Sequence, residues 1–358
     1  MIGPNEVLNR SRDEICLSMA SGFTLIRGNG IAACCCARLL QRQGCFAVVT
    51  DAKRAKLPAI LLSQSTQNLL TDVFQTADPF EGLPTIRKRI VAWGDAEPIV
   101  LPHSAVVASE EVLLERLWAH VDHVSDGAPL DPAWTVMTAR PANDLPPQMQ
   151  FGSRTAFVRE VELRNEAERD ACWVESVENG WLFLLASGNG KGSLISVGGR
   201  TEHLLQKSRL IAPQVRELED KFFEFPAYPR ILSSLCGKGW LACGTAAMSF
   251  DPLCGEGAGN AVREAILASA VVQSVLAGQA MEEILAEYSL RLMLGFLRHL
   301  EHCREFYRRG CSTAFWSSEL ALIEQGIAWT KTQLSEAPHP RFRLIGFGLE
   351  RIDSAGKP

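Results

Sequence analysis

The first part of the chain alternates apolar runs of strand length with an amphipathic helical pattern. Residues 23–27 and 45–50 are short apolar runs, and residues 31–43 between them carry apolar side chains at helical spacing. Gly28 and Gly30 lie in the turn between the first run and the helix. This order predicts a strand, a glycine turn, a helix and a second strand.

The periodicity of the remaining chain predicts further strands and helices. Strands are predicted at 86–93, 98–108, 156–163, 171–175, 181–186 and 193–198, and the last two form a hairpin across residues 187–192. Helices are predicted at 65–74, at 110–121 after the N-cap Ser109, and at 261–280, 282–309 and 317–334. Residues 128–144 are rich in proline and are predicted to be irregular.

One face of the predicted helix 282–309 carries Leu290, Leu294, Leu297 and Glu301. This spacing predicts an amphipathic helix that covers a sheet, and a partner-binding surface is the alternative interpretation.

Composition narrows the class of protein. A hydrophobic share of 47% with 22% charged residues is typical of a folded globular protein, and the net charge of -5 argues against a general nucleic-acid binder. The most apolar long run, 261–280, contains Arg263 and Glu264 and is therefore expected to be a buried helix rather than a membrane span. The first twenty residues carry charges where a signal peptide needs an apolar core, so we expect a cytoplasmic protein.

The eleven cysteines indicate reduced thiols rather than a disulfide framework, because their number is odd and they are scattered. Cys34, Cys35 and Cys36 are consecutive on a predicted helix, so their side chains point about 100 degrees apart and do not converge on one metal ion. We expect packing roles for them and no metal site.

The N-terminal unit carries the residues of a dinucleotide-binding fingerprint. Gly28 allows a tight turn, Gly30 allows the backbone to approach a pyrophosphate, and Ala33 serves close packing of the helix on the strand. Asp51, at the end of the second strand, can accept hydrogen bonds from ribose hydroxyls. An ordinary strand–helix–strand unit is the alternative interpretation.

Residues 244–269 place a second glycine-rich turn ahead of a long alanine-rich helix. Gly255, Gly257 and Gly259 lack a Cβ, so a ligand can approach the main chain, and the helix directs its positive end at the turn. A tight loop before a well-packed helix is the alternative. If both turns serve one cofactor, the binding domain is discontinuous in sequence.

This combination resembles the FAD-dependent monooxygenases of the aromatic hydroxylase type and their tryptophan-halogenase relatives. The resemblance covers residues 23–307, and its late motif is matched by Asp251, Pro252, Leu253, Gly255, Gly257 and Asn260. It implies an α/β fold with a Rossmann-like FAD-binding domain, a strand-rich substrate domain and C-terminal helices. The implied ranges are 20–85, 225–285 and about 105–145 for the FAD domain, 86–104 and 146–224 for the substrate domain, and 286–358 for the helices.

The resemblance also implies which residues bind the FAD cofactor. They are Gly28, Gly30, Ala33, Asp51, Thr245, Asp251, Pro252, Gly255, Gly257, Ala258, Gly259 and Asn260. Thr245 stands where the family has an aspartate, which predicts weaker hydrogen bonding to FAD. A further family signature is represented only by 138–141, which reads Thr-Ala-Arg-Pro.

Several departures favour hydroxylation over halogenation. Arg89, with Lys88 beside it, aligns with the catalytic lysine of halogenases. The halogenase Trp-x-Trp-x-Ile-Pro motif becomes 181–186, Trp-Leu-Phe-Leu-Leu-Ala, and 255–257 reads Gly-Glu-Gly as in monooxygenases.

By resemblance, the protein is a monooxygenase that hydroxylates an electron-rich aromatic substrate through a flavin C4a-hydroperoxide, with NAD(P)H or another reductant as transient electron donor. The substrate is an aromatic small molecule or a partner polypeptide. A narrower hypothesis is hydroxylation of a partner's tryptophan in cysteine tryptophylquinone biogenesis. No catalytic residue is assigned, and the pocket candidates are Trp93, His103, Trp181, Phe183 and Arg89.

Other interpretations remain open. Core packing is the alternative for each aromatic candidate, and a structural role is the alternative for His103. A halogenase, a prenyl reductase of the same fold, and a non-catalytic FAD-binding partner protein are the alternatives for the whole chain.

Overall fold

The computed structural model describes residues 23–45, 47–50, 56–76, 78–122, 131–140, 145–164 and 168–352. Asp51 and Pro141 lie outside these residues. The strands are β1 Thr24–Arg27, β2 Ala47–Thr50, β3 Ile60–Ser63, β4 Thr85–Ala92, β5 Ile99–Ala108, β6 Trp134–Met137, β7 Gln148–Gln150, β8 Thr155–Leu163, β9 Ala171–Val177, β10 Gly180–Gly188, β11 Lys191–Val197, β12 Val215–Pro226, β13 Arg230–Leu232, β14 Cys236–Gly237, β15 Trp240–Ala242, β16 Met248–Ser249, β17 Phe342–Ile345 and β18 Gly348–Arg351. The helices are α1 Ile31–Arg42, α2 Gln64–Phe74, α3 Glu110–Trp118, α4 Thr201–Leu205, α5 Gly257–Leu276, α6 Met281–Arg308 and α7 Ala314–Ser335, with 3-10 turns at Ala212–Gln214, Gly244–Ala246 and Pro252–Cys254.

A five-stranded sheet with the order β14-β15-β6-β1-β2 contains the predicted N-terminal unit. Strands β2, β1, β6 and β15 run parallel, and β14 is antiparallel to β15. Helix α1 packs against the sheet and against α5, and its three consecutive cysteines are fully buried. The predicted strand–helix–strand unit and the packing role of these cysteines are therefore confirmed.

An eight-stranded sheet with the order β12-β8-β11-β10-β9-β4-β5-β3 forms the second layer. Its strands pair antiparallel except β4 and β9, which run parallel. The predicted β10–β11 hairpin is confirmed, but its turn is only the pair Asn189 and Gly190, both with positive φ (52° and 72°). The residues on either side of this pair extend the two strands, because they continue the ladder of the hairpin.

The remaining elements cover the two large sheets. Strands β16, β13 and β7 form a small sheet, and β17 and β18 form a hairpin near the end of the described chain. Helices α6 and α7 pack on each other. No helix of the described residues has both the length and the apolar character to cross a membrane.

Three sequence predictions are corrected by this arrangement. Residues 128–144 are not irregular throughout, because β6 lies inside this range and pairs with β1 and β15 on its two sides. Strands β3, β7 and β12–β18 were not predicted, although β12 is twelve residues long. On α6 the buried residues include Leu290 of the predicted face together with Leu292, Phe296 and Leu300, whereas Leu294 of that face is 40% exposed.

The domain division of the sequence analysis stays a prediction. Sheet membership departs from it at one strand, because β3 lies in the range 20–85 but pairs with β5 of the larger sheet. The C-terminal range likewise contains the β17–β18 hairpin as well as helices.

Candidate functional site

The two glycine-rich turns meet at the carboxyl edge of the parallel sheet. Gly28 follows β1, Thr138 follows β6 and Gly244 follows β15, so all three leave the sheet at the same edge. Open α/β sheets bind ligands at this edge. Chain segments more than a hundred residues apart in sequence are therefore brought together here.

Thr138 connects the two turns. Its hydroxyl donates to the carbonyl of Arg27 at 3.0 Å, and its own carbonyl accepts from the hydroxyl of Thr245 at 3.3 Å. A Cβ on Gly28, whose φ is +133°, would lie 2.2 Å from Oγ1 of Thr138. Only glycine fits at this contact, so the first turn packs closely against the start of segment 138–141.

The second turn begins at Gly244, which packs against helix α1. Gly244 has φ +58°, and a Cβ there would lie 2.9 Å from Cβ of Ala32. Its N–H donates to Oε2 of Glu264 on α5 at 2.7 Å. Thr245 next to it is exposed, so its side chain stands at the surface of the site.

The two helices that follow the glycine turns have uncapped N-termini. Helix α1 begins after Gly30 and α5 begins after Glu256, and neither has a side chain that caps it. The N–H groups of such a first turn point outward and attract negative charge. The start of each of these two helices can therefore attract an anion.

Of the three late glycines, only Gly255 lies in the turn, because α5 already begins at Gly257. Gly255 has φ +66°, and a Cβ on exposed Gly257 would meet nothing within 4 Å. A Cβ on Gly259 would lie 2.6 Å from Oγ1 of Thr66, which shows that α5 packs closely on α2. Gly257 is thus the position where a ligand can reach the main chain.

The remaining predicted cofactor-binding residues lie beside these turns. Ala33 is fully buried in α1, where it packs, and Pro252 begins the 3-10 turn that precedes Gly255. Ala258 is half-buried in the first turn of α5, and Asn260 accepts a hydrogen bond from Arg263 at 3.3 Å. Their contacts with a cofactor stay predictions.

Asp251 is buried and its carboxylate is bound by protein groups, whereas a carboxylate that binds a ligand needs an oxygen accessible to that ligand. It is 2% exposed, and its Oδ1 accepts from the N–H of Leu253 at 2.9 Å, which caps the 3-10 turn Pro252–Cys254. Its Oδ2 accepts from the hydroxyl of Tyr307 at 2.8 Å and lies 3.1 Å from Nη2 of Arg154. Burial raises the pKa of Asp251, while Arg154 opposes this rise. The structure gives this carboxylate partners inside the protein.

Two pocket candidates lie beside the late glycine turn. Nη2 of Arg89 on β4 would be 3.7 Å from a Cβ on Gly255, and it lies 3.4 Å from Nε2 of His103 on β5. Burial, and then the charge of Arg89, lower the pKa of His103. Arg89 and His103 therefore bring a positive charge and a neutral imidazole to this turn.

The three aromatic candidates face the C-terminal helices or the core. Trp93 donates to the carbonyl of Phe306 at 2.8 Å and packs edge-on against Trp316. Trp181 is fully buried and donates to the hydroxyl of Tyr307 at 3.1 Å, and Phe183 is 5% exposed on the same strand. The structure does not bring these rings together with Arg89 and His103.

Sequence reasoning missed several ionisable residues around Asp251. Arg154, Glu319, His299 and Tyr307 form a buried cluster around Asp251, and no motif indicated them. Glu264 offered the one available indication, since it interrupts an apolar helical run. Burial raises its pKa to about 8, which the hydrogen bond from Gly244 only partly offsets.

Metal binding has no support in the described part of the chain. No group of three or more His, Cys, Asp or Glu side chains is placed there to hold a metal ion. The cysteines whose side chains are described are all free, and burial raises the pKa of Cys34 and Cys35. These thiols are packing groups.

Comparison of the structure with solved structures defines the fold. The chain has the α/β fold shared by FAD-dependent monooxygenases and flavin-dependent halogenases. No protein-family model matches the sequence, and no curated protein matches it.

Three solved structures illustrate this similarity. QhpG, a peptidyl tryptophan dihydroxylase essential for tryptophylquinone cofactor biogenesis, is 18% identical, with a TM-score of 0.68 over 83% of this chain and 78% of QhpG. The flavin-dependent halogenase CmlS is 15% identical, with a TM-score of 0.72 over 88% and 72% of the two chains. PqsL from Pseudomonas aeruginosa, a probable FAD-dependent monooxygenase, is 16% identical, with a TM-score of 0.61 over 87% and 99%.

The start of α1 and the main chain at Gly257 fit a flavin dinucleotide. Such a cofactor needs backbone N–H donors for its phosphates and close approach of its flat ring to the main chain. The uncapped start of α1 supplies the donors, and the open space at Gly257 permits the approach.

Proposed function

We propose that this chain is an FAD-dependent monooxygenase that hydroxylates an electron-rich aromatic substrate. The observation that carries the proposal is the contact of Thr138 with both the Gly28 turn and Thr245, which brings distant segments together at the carboxyl edge of the parallel sheet. The fold similarity to monooxygenases and halogenases supports the cofactor class.

The chain's own residues have defined tasks in this proposal. The first turn of α1, after Gly30, holds the pyrophosphate, and the start of α5 stabilises negative charge on the flavin ring. Bound FAD, once reduced, supplies the activation of molecular oxygen. Arg89 and His103 lie where they can orient the substrate beside the late turn. NAD(P)H or another reductant serves as the transient electron donor.

A finer form of the proposal concerns the substrate. We propose a tryptophan side chain of a partner polypeptide, because QhpG, which acts on a peptidyl tryptophan, has the same fold over most of both chains. An aromatic small molecule is the alternative substrate, as the fold also occurs in PqsL.

The cofactor is tested first by titrating FAD into the purified protein and following flavin fluorescence. We expect saturable binding that is weakened about tenfold or more by Gly257→Ala, because the added methyl group enters the space proposed for the ring. The matched control is Gly295→Ala on α6, where a Cβ also meets nothing within 4 Å. Equal FAD affinity of the two variants would contradict the placement, and no binding to the unsubstituted protein would refute the proposal.

The reaction is tested next with the FAD-loaded protein, a reductant and a tryptophan-containing peptide in a buffer that contains chloride. Oxygen consumption that depends on the peptide, with one oxygen atom added to its mass, is the expected result. Addition of a halogen atom instead would show halogenation. Activity only on free aromatic compounds would overturn the finer form of the proposal.

A further inference from the structure

Arg154 is a buried cation shared between two carboxylates. The residue is 2% exposed, its Nη2 lies 3.1 Å from Oδ2 of Asp251, and its Nη1 pairs with Oε2 of Glu319. Its guanidinium stacks on the ring of Tyr307, with Cζ 4.6 Å from the centroid. Burial opposes the charge of Arg154, but Tyr307, Asp251 and Glu319 together raise its pKa, so it remains charged.

The cluster joins four separate segments of the chain. Arg154 lies directly before β8 of the large sheet, and Asp251 lies directly before the late glycine turn. Tyr307 belongs to α6 and Glu319 to α7. Helix α6 therefore contacts Asp251 directly through Tyr307, whereas α7 is connected to it through the guanidinium of Arg154.

Asp251 transmits this connection to the glycine turn. Its Oδ1 holds the N–H of Leu253, and the N–H of Gly255 donates to the carbonyl of Pro252 at 3.0 Å within the same turn. The N–H of Asp251 itself donates to Nε2 of His299 at 2.9 Å. Any movement of Asp251 displaces the turn, because the turn is hydrogen-bonded to its side chain.

Glu319 fixes the other end of the connection. Its carboxylate accepts from the N–H of Ser153 at 3.1 Å and from the hydroxyl of Ser153 at 2.7 Å, in addition to its pair with Arg154. The contact between Arg154 and Asp251 is an ion pair without an aligned hydrogen bond. The guanidinium is thus balanced between two carboxylates, and loss of one charge draws it toward the other.

We infer that Arg154 and Glu319 are positioning residues for the proposed FAD site, which they influence through Asp251 and the 3-10 turn Pro252–Cys254. The inference rests on the proposed function, because it requires that this turn contacts FAD. Neither side chain is exposed, so their effect on a ligand is indirect. Coupling of this kind is reciprocal, and bound FAD therefore stabilises the docking of α6 and α7.

The test compares Glu319→Gln with the unsubstituted protein by FAD titration, at a temperature where circular dichroism shows both to be folded. We expect the dissociation constant for FAD to rise about tenfold, since a hydrogen-bonded buried charge is lost. The matched control is Glu324→Gln on the same helix, whose carboxylate is 53% exposed and lies 4.0 Å from Arg308. It should bind FAD as the unsubstituted protein does.

The FAD affinity of the folded variant distinguishes a positioning role of Glu319 from a role in stability alone. If Glu319→Gln melts at a lower temperature but binds FAD within about twofold of the unsubstituted protein, the inference is overturned. If Glu319→Gln does not fold, Ser153→Ala is used instead, because this substitution removes only one hydroxyl donor to Glu319. Its FAD affinity is judged by the same limit of about twofold. Partial recovery of affinity by Arg154→Lys, relative to Arg154→Met, is also expected.

Hydrogen exchange without FAD separates this inference from the proposed function. The amides of Leu253 and Gly255 should exchange faster in Glu319→Gln than in Glu324→Gln, because Arg154 is drawn toward Asp251 and displaces the side chain that holds their turn. Unchanged exchange would refute the positioning role. Faster exchange in a protein that does not bind FAD would show that the positioning role is right and the proposed function wrong.

Discussion

Glu264 is a buried carboxylic acid on the mostly apolar helix α5, and the stability of the protein should depend on its protonation. The side chain is 6% exposed and accepts from the N–H of Gly244 at 2.7 Å. The titratable groups that face it are the thiol of Cys243 and the hydroxyl of Tyr288, and no cation pairs with it among the described residues. Burial raises its pKa from 4.5 to about 8.

The sign and size of the effect follow from this pKa. The folded state holds the proton up to about pH 8, whereas the unfolded state releases it near 4.5. Folding is therefore most favoured below pH 4.5, and this contribution is lost as the pH rises to about 8. Each pH unit between these two pKa values lowers the free energy of unfolding by about 1.4 kcal/mol, so the total decrease is on the order of 5 kcal/mol.

The experiment is urea unfolding of the unsubstituted protein and of Glu264→Gln between pH 5 and 9. The amide keeps an acceptor for the N–H of Gly244 and never ionises. We expect the free energy of unfolding of Glu264→Gln to exceed that of the unsubstituted protein by a margin that grows up to about pH 8 and is then constant. The control, Glu111→Gln on the exposed face of α3, should follow the unsubstituted protein. A constant margin over the whole range would refute the reasoning.

Three further outcomes are expected. Gly28→Ala should lose FAD binding and about 1–3 kcal/mol of stability. The control is Gly44→Ala, which should keep FAD binding, because Gly44 also has a positive φ (+77°) but a Cβ there would meet nothing within 4 Å. Equal FAD affinities of the two variants would contradict this expectation. Tyr307→Phe should lower the free energy of unfolding by about 1–3 kcal/mol, because Trp181 loses the acceptor of its buried N–H, and an unchanged urea midpoint would disprove it. Burial, followed by Arg154 and His302, lowers the pKa of His299 to about 3. The free energy of unfolding should therefore fall as the pH drops from 6.5 toward 3. In His299→Gln, the melting temperature should depend less on pH over this range.

Much of the fold could be predicted from local sequence patterns. The strand–glycine–helix–strand unit and the β10–β11 hairpin were predictable because each is formed by neighbours in the chain. The N-cap Ser109 was predictable for the same reason, and its Oγ accepts from Val112 N–H at 3.2 Å. Strand β6 was missed, because four residues between prolines acquire their partners only from distant strands.

The site was predictable only in part, for a related reason. Glycine turns can be recognised locally because the backbone conformation requires glycine, as at Gly28. Arg154 and Glu319 have no such requirement, and their roles arise from contacts across 165 positions of the chain. A buried ion cluster of this kind leaves no periodic pattern in the sequence.

The order of strands in the parallel sheet has a consequence for synthesis of the protein. Strand β6 lies between β1, which is made before it, and β15, which the ribosome adds about a hundred residues later. At roughly 5–20 residues per second, one edge of β6 stays unpaired for about 5–20 seconds. An open strand edge is a template for pairing with another chain. Nascent or truncated chains that end before β15 are therefore expected to need a chaperone, although the finished sheet closes that edge by itself.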